Sequence, residues 1–224
     1  MPFVFDEIGE WSEIKLEIIQ KYALVYSRIL ASRTNPKLHH VYIDAFAGSG
    51  KNISRSTGKS IRGSPQIALD IDPPFKEYFF IDINGNKVAE LNRIVAGRPE
   101  AHVLEGDCNS KLITEVFPQV EWRDYRRGLC LLDPYGLDLD WEVIKTAGQM
   151  KSIDMFLNFP VMDMNRNVLW TNPENVDVKD VSRMNAFGGD VSWEKAAYRQ
   201  TPNLFGEMVG IKEQNSSTSL QETT

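Results

Sequence analysis

A glycine-rich turn preceded by an acid is the first feature of this sequence that could bind a ligand. The apolar residues 41–43 lead into Asp44, and Gly48 and Gly50 follow shortly after it. Glycine has no side chain and adopts positive φ angles, so such a turn lets the backbone approach a nucleotide-like ligand closely. Nucleoside triphosphates, dinucleotides and S-adenosylmethionine are the three ligand classes to compare.

The residues around the turn favour S-adenosylmethionine over the other two classes. A triphosphate-binding loop of the form GxxxxGKS or GxxxxGKT needs glycine at Ala45 and a hydroxyl at Asn52. A dinucleotide-binding GxGxxG needs a third glycine at Ile53, which also disfavours a nicotinamide-dependent oxidoreductase. Asp44 would repel a pyrophosphate, whereas it would attract the sulfonium and ammonium groups of S-adenosylmethionine.

Four aspartates follow four successive apolar runs of strand length. They are Asp44, Asp82, Asp107 and Asp133. In a parallel sheet the carboxyl ends of the strands lie at one edge, which is where such sheets bind ligands. Aspartates also end strands and cap helices for purely structural reasons. Four of them in order, with a glycine turn after the first, favour a ligand site.

Each acid has a role that its chemistry suggests. Asp82 is expected to accept hydrogen bonds from the two ribose hydroxyls, as the equivalent acid does in dinucleotide folds. Asp107 is expected to accept from the adenine amino group, and Asp44 to face the methionine moiety. The predicted cofactor-binding residues are Asp44, Phe46, Gly48, Gly50, Asp82, Ile83, Asp107 and Cys108.

The elements that position these residues alternate between strands and helices. Five apolar runs of strand length are present: VYIDA, YFFIDI, HVLEGD, LCLLDP and MFLNFP. Helical spacing is clearest at about residues 11–31, and shorter helices are predicted between the strands. Continuous apolar strands separated by helices predict an α/β fold, with a mostly parallel sheet covered on both faces. We expect one domain over residues 1–210, helical at about 161–200, and a polar, disordered tail over 211–224.

The composition is that of an ordinary globular protein and excludes several classes of function. The chain has 224 residues, 42% of them hydrophobic, and a net charge of −6. It has no apolar run long enough to span a membrane and no signal-peptide pattern, so a cytoplasmic location is expected. Cys108 and Cys130 are interpreted as buried small residues, and since the three histidines form no cluster with them, no metal site is predicted.

Several segments in the same order resemble a known family. They are WSEIKLEIIQKYALVY, YIDAFAGSG, GSPQIAL, FIDIN, DPYGLDLDWEVI, FLNFP and RMNAFGGDVSWEKA, which cover roughly residues 11–198. Together they resemble the three-Cys-motif partner protein family, a Rossmann-fold group similar to S-adenosylmethionine-dependent methyltransferases. DAFAGSG also looks like the cofactor motif of amino-group methyltransferases. The resemblance implies S-adenosylmethionine as cofactor, S-adenosylhomocysteine as product, and an associated protein bearing a three-cysteine motif.

The segment LLDPYG resembles the D/N-P-P-Y/F tetrapeptide of enzymes that methylate amino nitrogens. The resemblance implies that Asp133 and the Pro134 carbonyl accept the amine hydrogens and that Tyr135 stacks on the acceptor. One proline of the family pattern is missing and Gly136 follows Tyr135, so Tyr135 stands one position early. A type I turn is the alternative interpretation of DPYG.

The C-terminal part departs from the usual methyltransferase pattern. Enzymes of this fold end with a helix and an antiparallel hairpin, but no two runs after Phe159 are evident that could form one. Either the sheet is shorter or the chain is a truncated member of the family. The leading interpretation is a methyltransferase acting on nitrogen. A partner-dependent or non-catalytic accessory module that keeps the fold is the alternative.

A basic segment follows the glycine turn. Residues 51–62 contain four basic residues and no acid: Lys51, Arg55, Lys59 and Arg62. Because the segment is long for a strand-to-helix loop, it could be a lid that grips nucleic acid. The arginines at 123, 126 and 127 would support such a contact. The alternative is a solvated loop that balances nearby acids.

Overall fold

A computed structural model describes residues 5–202 and 208–212 of the chain. The strands are β1 Asp6–Ile8, β2 His39–Asp44, β3 Lys51–Ser54, β4 Ser60–Arg62, β5 Glu77–Asp82, β6 Ala101–Glu105, β7 Arg126–Leu132, β8 Ile153–Leu157, β9 Tyr198–Pro202 and β10 Met208–Lys212. The helices are α1 Glu10–Ala31, α2 Ser64–Leu69, α3 Gly85–Ile94, α4 Cys108–Lys111, α5 Trp141–Met150, α6 Val161–Asn167, α7 Val178–Gly188 and α8 Ser192–Ala197. A π-helical turn and three short 3₁₀ turns complete the described elements.

Five strands form one sheet in the order β6-β5-β2-β7-β8, and every pairing in it is parallel. The chain enters at the centre with β2, adds β5 and β6 on one side, and then crosses over to β7 and β8. This order puts the topological switch point beside β2. The predicted Rossmann-like α/β fold of the kind that methyltransferases have is therefore confirmed.

The buried face of α1 closes one side of the sheet. Ile19, Ala23 and Tyr26 of this helix pack in the same apolar cluster as Tyr42 of β2 and Phe80 of β5. Two central strands are buried over most of their length, which is why their sequences read as continuous apolar runs rather than alternating ones.

The basic segment forms a β-hairpin rather than a loop. Strands β3 and β4 pair in antiparallel fashion, and β1 adds to β3 in parallel, so the three make a small separate sheet. Ser54 is buried, and its hydroxyl donates to Glu13 Oε1 of α1 at 2.8 Å. The expectation of an irregular loop is therefore corrected, because pairing with β1 and between β3 and β4 gives this segment a regular structure.

The C-terminal part contains the antiparallel pair that the sequence was not expected to supply. Strands β9 and β10 pair with each other in a two-stranded sheet of their own, and the five-stranded sheet contains no antiparallel strand. An antiparallel pair therefore does follow Phe159, but within the described residues it does not complete the parallel sheet, in agreement with the expected shorter sheet. From residue 213 onward, the tail predicted over 211–224 lies outside the described residues.

Two compact units can be distinguished. The first combines the described residues of 1–134 with 142–158 and contains the parallel sheet, and the second combines 135–141 with those of 159–224. The prediction of one domain over residues 1–210 stays a prediction, because compact packing does not decide whether the units fold independently. No helix among the described residues is long and apolar enough to cross a membrane.

Candidate functional site

The glycine turn is held in place by backbone bonds to the two strands beside β2. The Ala45 amide donates to the Leu131 carbonyl of β7 at 3.0 Å, and the Ala47 amide donates to the Ile81 carbonyl of β5 at 2.9 Å. Gly48 has a φ of 64°, and a methyl group placed on its Cα would meet nothing within 4 Å. These two bonds fix the turn to strands β7 and β5, and the Cα of Gly48 faces open space.

Asp82 ties the glycine turn to the end of β5. Its Oδ2 accepts from the Gly48 amide at 2.9 Å and its Oδ1 accepts from the Asn84 amide at 2.8 Å. The residue is 7% exposed. Each carboxylate oxygen can accept more than one hydrogen bond, so Asp82 keeps capacity for hydroxyl donors of a ligand. The predicted ribose contact stays a prediction, and the support of the turn is a role that the sequence did not reveal.

A close approach between two glycines fixes the other end of the turn. The Gly63 amide donates to the Gly50 carbonyl at 2.8 Å. A methyl group on Gly63 would lie 2.9 Å from the Gly50 carbonyl carbon and oxygen. Gly50 itself has a φ of 78°. Gly63 was missed in the sequence, although its place before the Ser64-Pro65 helix start is a signal of a tight junction.

Asp44 is fully buried beneath the turn. The Phe46 amide donates to its Oδ1 at 3.3 Å, and its Oδ2 has no hydrogen-bond partner in the described structure. The pKa of Asp44 is raised to about 7, mainly by burial and in smaller part by the negative charges of Asp133 and Asp82. The Ser64 hydroxyl and the Phe46 amide partly offset this shift in pKa. Asp44 therefore presents an unsatisfied acceptor whose charge a nearby cation would stabilise.

Asp133 has partners on both carboxylate oxygens. The Lys15 ammonium of α1 lies 2.6 Å from Oδ2, and the Asn158 amide nitrogen donates to Oδ1 at 2.8 Å. Both members of the ion pair are about three-quarters buried. Lys15 and Asn158 were missed as site residues, since nothing in their types or spacing distinguishes them from other polar residues of α1 and the β8 end.

The remaining predicted cofactor residues differ in their surroundings. Asp107 is exposed and caps α4, where its Oδ2 accepts from the Ser110 amide at 3.0 Å. This acid therefore has the helix-capping role that was the structural alternative to ligand binding. Cys108 is buried and Phe46 is half-buried. Ile83 is 75% exposed, directly after Asp82, which places an apolar side chain at the same edge of the sheet.

The structure brings the four acids to one edge of the sheet, as the sequence predicted from the parallel topology. Asp82 and Asp133 lie close enough to Asp44 for their negative charges to raise its pKa. Asp107 follows the neighbouring strand β6, and the Gly106 amide donates to the Asp82 carbonyl at 3.1 Å. Pro134 is buried, whereas Tyr135 is 74% exposed and belongs to the second unit.

The basic residues of the hairpin divide into two groups. Lys51, Arg55 and Lys59 are exposed and form no ion pair within the described residues. Arg62 pairs with Asp70 at 2.7 Å.

The arginines at 123, 126 and 127 are not part of the carboxyl edge. They lie at or before the start of β7, at the opposite end of the strand from Asp133. Arg123 and Arg126 pair with Glu121 and Glu77, and Arg127 stacks on Trp122. They therefore do not support a nucleic-acid contact at this site. No metal-binding group of histidine, cysteine or acidic residues is found among the described residues.

Comparison with known proteins finds structural neighbours at low similarity. No family model matches the chain, and no curated protein matches it. A Legionella pneumophila protein of the family model DUF519 has a TM-score of 0.45 at 14% identity, over 62% of this chain and 66% of its own. A Thermobifida fusca protein described as a "putative methyltransferase" has a TM-score of 0.36 at 14% identity, over 64% of this chain and 52% of its own. These similarities are too low to assign a family or an activity.

Proposed function

We propose that this chain is an S-adenosylmethionine-dependent methyltransferase of the three-Cys-motif partner type, which transfers a methyl group to an amino nitrogen. The observation that carries the proposal is the glycine turn itself. It rests on Asp82, leaves open space at Gly48 and covers a buried Asp44 oxygen that lacks a partner. A ligand whose hydroxyl groups bond to Asp82, and whose cationic centre is attracted by the charge of the buried Asp44, would suit these features.

The residues present fit the proposed cofactor. Asp82 would accept the ribose hydroxyls, and the exposed Ile83 offers an apolar contact for a base. Asp44 would face the charged methionine end, and Asp107 is exposed at the adjoining strand end. Bound S-adenosylmethionine supplies a methyl group on a good leaving group, so positioning alone can account for much of the acceleration.

Asp133 would hold the acceptor amine, together with the Pro134 carbonyl and the ring of Tyr135. In the structure the Lys15 ammonium occupies Oδ2 of Asp133, and Asn158 occupies Oδ1. An acceptor amine therefore has to replace Lys15 at Oδ2, while Asn158 keeps the carboxylate oriented. Before the substrate binds, the Lys15 ammonium thus occupies the position at Asp133 that the amino group of the substrate would take.

The same contacts favour a second candidate, an accessory module that binds the cofactor without turnover. Both Asp133 oxygens are already satisfied, and the DPYG segment departs from the tetrapeptide of nitrogen methyltransferases. Transfer of labelled methyl groups to candidate substrates distinguishes the two functions. Labelled product that disappears in Asp133→Ala, with cofactor binding retained, supports the enzyme.

The class of the methyl acceptor is a further proposal. Lys51, Arg55 and Lys59 are exposed cations on one hairpin, which suits contact with nucleic-acid phosphates. An associated protein with a three-cysteine motif is the other proposed partner, on the strength of the family resemblance. Labelled methyl transfer to single-stranded RNA, to DNA and to such a protein would identify the acceptor.

Calorimetric titration with S-adenosylmethionine and S-adenosylhomocysteine tests the cofactor proposal. Gly48→Ala should weaken binding at least tenfold, because the new methyl group enters the space left for the ligand. Gly58→Ala is a matched control, since Gly58 has a similar φ of 66° and equally open surroundings but lies in the β3–β4 turn. Absence of binding by the wild type, or equal effects of both substitutions, would overturn the proposal.

A further inference from the structure

The first helix carries a row of large apolar side chains on its solvent side. All six are between 45% and 85% exposed: Trp11, Ile14, Ile18, Tyr22, Val25 and Ile29. From Trp11 to Ile29 the row advances by three or four residues at each step, about 3.6 residues per turn, as on a straight helix. A continuous exposed apolar row of this length is typical of an interaction surface.

The row is close to symmetric about its midpoint. Ile18 and Tyr22 lie equally far from Gln20, and Trp11 and Ile29 are likewise equidistant from it. When a second copy of the helix is turned end for end about Gln20, Trp11 falls on Ile29 and Ile18 falls on Tyr22, while Ile14 and Val25 fall one residue apart. Such self-complementarity is what a twofold interface requires.

The charged residues beside the row also complement those of a second copy in antiparallel orientation. Glu10 and Glu17 lie beside its N-terminal half, whereas Lys21 and Arg28 lie beside its C-terminal half. An antiparallel second copy brings the acidic half of one helix against the basic half of the other. Parallel pairing would instead place the two acidic halves together, and the like charges would repel each other.

We propose that α1 is a dimerisation helix, which pairs in antiparallel fashion with α1 of a second copy about a twofold axis near Gln20. In this arrangement Ile18 of one copy faces Tyr22 of the other. The inference is independent of the proposed methyltransferase activity.

Sedimentation of the full chain tests the association. We expect a mass near twice 25.5 kDa at micromolar concentration, and a return to 25.5 kDa in Ile18→Glu. Val178→Glu is the control, since Val178 is 79% exposed on α7 and lies outside the row. A wild-type mass of 25.5 kDa at ~100 μM, or an unchanged dimer in Ile18→Glu, would overturn the proposal.

Cysteine cross-linking tests the direction of pairing and does not depend on the folding of the glutamate variant. The native Cys108 and Cys130 are buried, so we expect them to contribute little to disulfide formation between copies. Under mild oxidation, a mixture of Ile18→Cys and Tyr22→Cys proteins should form a mixed disulfide dimer much faster than either protein alone. Faster cross-linking of Ile18→Cys with itself would indicate parallel pairing and contradict the inference.

Discussion

Asp44 shows how a single residue is held at a cost to stability. A carboxyl group has an ordinary pKa of 3.8, and burial raises the pKa of Asp44 to about 7. Between these two values the folded protein keeps a proton that the unfolded chain releases. The stability that this retained proton confers is therefore fully present below pH 3.8, and it is lost as the pH rises towards 7. Above that pH the folded protein carries a buried charge with one unsatisfied oxygen.

Replacing Asp44 by asparagine should remove this cost. The asparagine side chain keeps an acceptor for the Phe46 amide but carries no charge, so Asp44→Asn should gain stability relative to the wild type as the pH rises. The difference in unfolding free energy should grow by about 3 kcal/mol between about pH 4.5 and about pH 8. Urea unfolding at both pH values measures it. An equal difference at the two pH values would show that Asp44 does not titrate as described.

Lys15 is expected to contribute to stability through its ion pair with Asp133. In Lys15→Met the Asp133 carboxylate loses its cation while it remains largely buried beside Asp44. We expect a loss of about 1–3 kcal/mol in unfolding free energy at neutral pH.

Lys21→Met is the matched control for this prediction. Lys21 lies on the same helix, but its pair with Glu17 is 3.6 Å long and mostly exposed. This change should therefore cost no more than about 0.5 kcal/mol. Denaturant unfolding of the two variants gives the comparison, and equal losses would mean that the Lys15 contact contributes no more than a surface ion pair.

At the scale of elements, two glycines of the first unit should respond to alanine in opposite ways. A methyl group on Gly63 would press on the Gly50 backbone at 2.9 Å, so Gly63→Ala forces the β4–α2 junction away from the glycine turn. We expect a loss of about 2 kcal/mol or more and weaker cofactor binding.

Gly148→Ala is the companion change. Gly148 lies within α5 with open space around its Cα, so alanine should stabilise the helix by about 0.5–1 kcal/mol. Thermal unfolding of both variants measures the two effects. A loss at Gly148 as large as that at Gly63 would show that the Gly50–Gly63 contact is not the cause.

The sequence predicted the parallel strands because a strand buried on both faces is apolar throughout, as in YFFIDI. It could not predict the β3–β4 hairpin, since KNIS and SIR are short and polar and become strands only by pairing with β1 and with each other. The acids at the strand ends were predictable from the topology. The contacts of Asp133 were not, because Lys15 and Asn158 approach it from distant parts of the chain.

At the scale of the whole molecule, cofactor binding should appear as a gain in thermal stability. A ligand that binds only the folded state adds about 2.7 kcal/mol at about a hundred times its Kd. For a chain of this size, that corresponds to a rise of about 5–10 °C in Tm. S-adenosylmethionine should produce this rise in the wild type and no more than about half of it in Gly48→Ala at the same concentration, because binding that is tenfold weaker adds at most about 1.4 kcal/mol. Thermal unfolding with and without ligand is the measurement, and an unchanged wild-type Tm would contradict the proposed cofactor.

The central position of β2 has a consequence for how the protein folds as it is synthesised. Val41 pairs with Glu77 on one side of the strand, whereas His39 pairs with Arg126 on the other, after a loop more than twice as long. The half-sheet of β2, β5 and β6 can assemble first, but one edge of β2 stays open until β7 leaves the ribosome. Because loop closure over such a distance is slow, the joining of β2 to β7 should limit the folding rate. During that interval the open edge of β2 can pair with other chains, which favours aggregation.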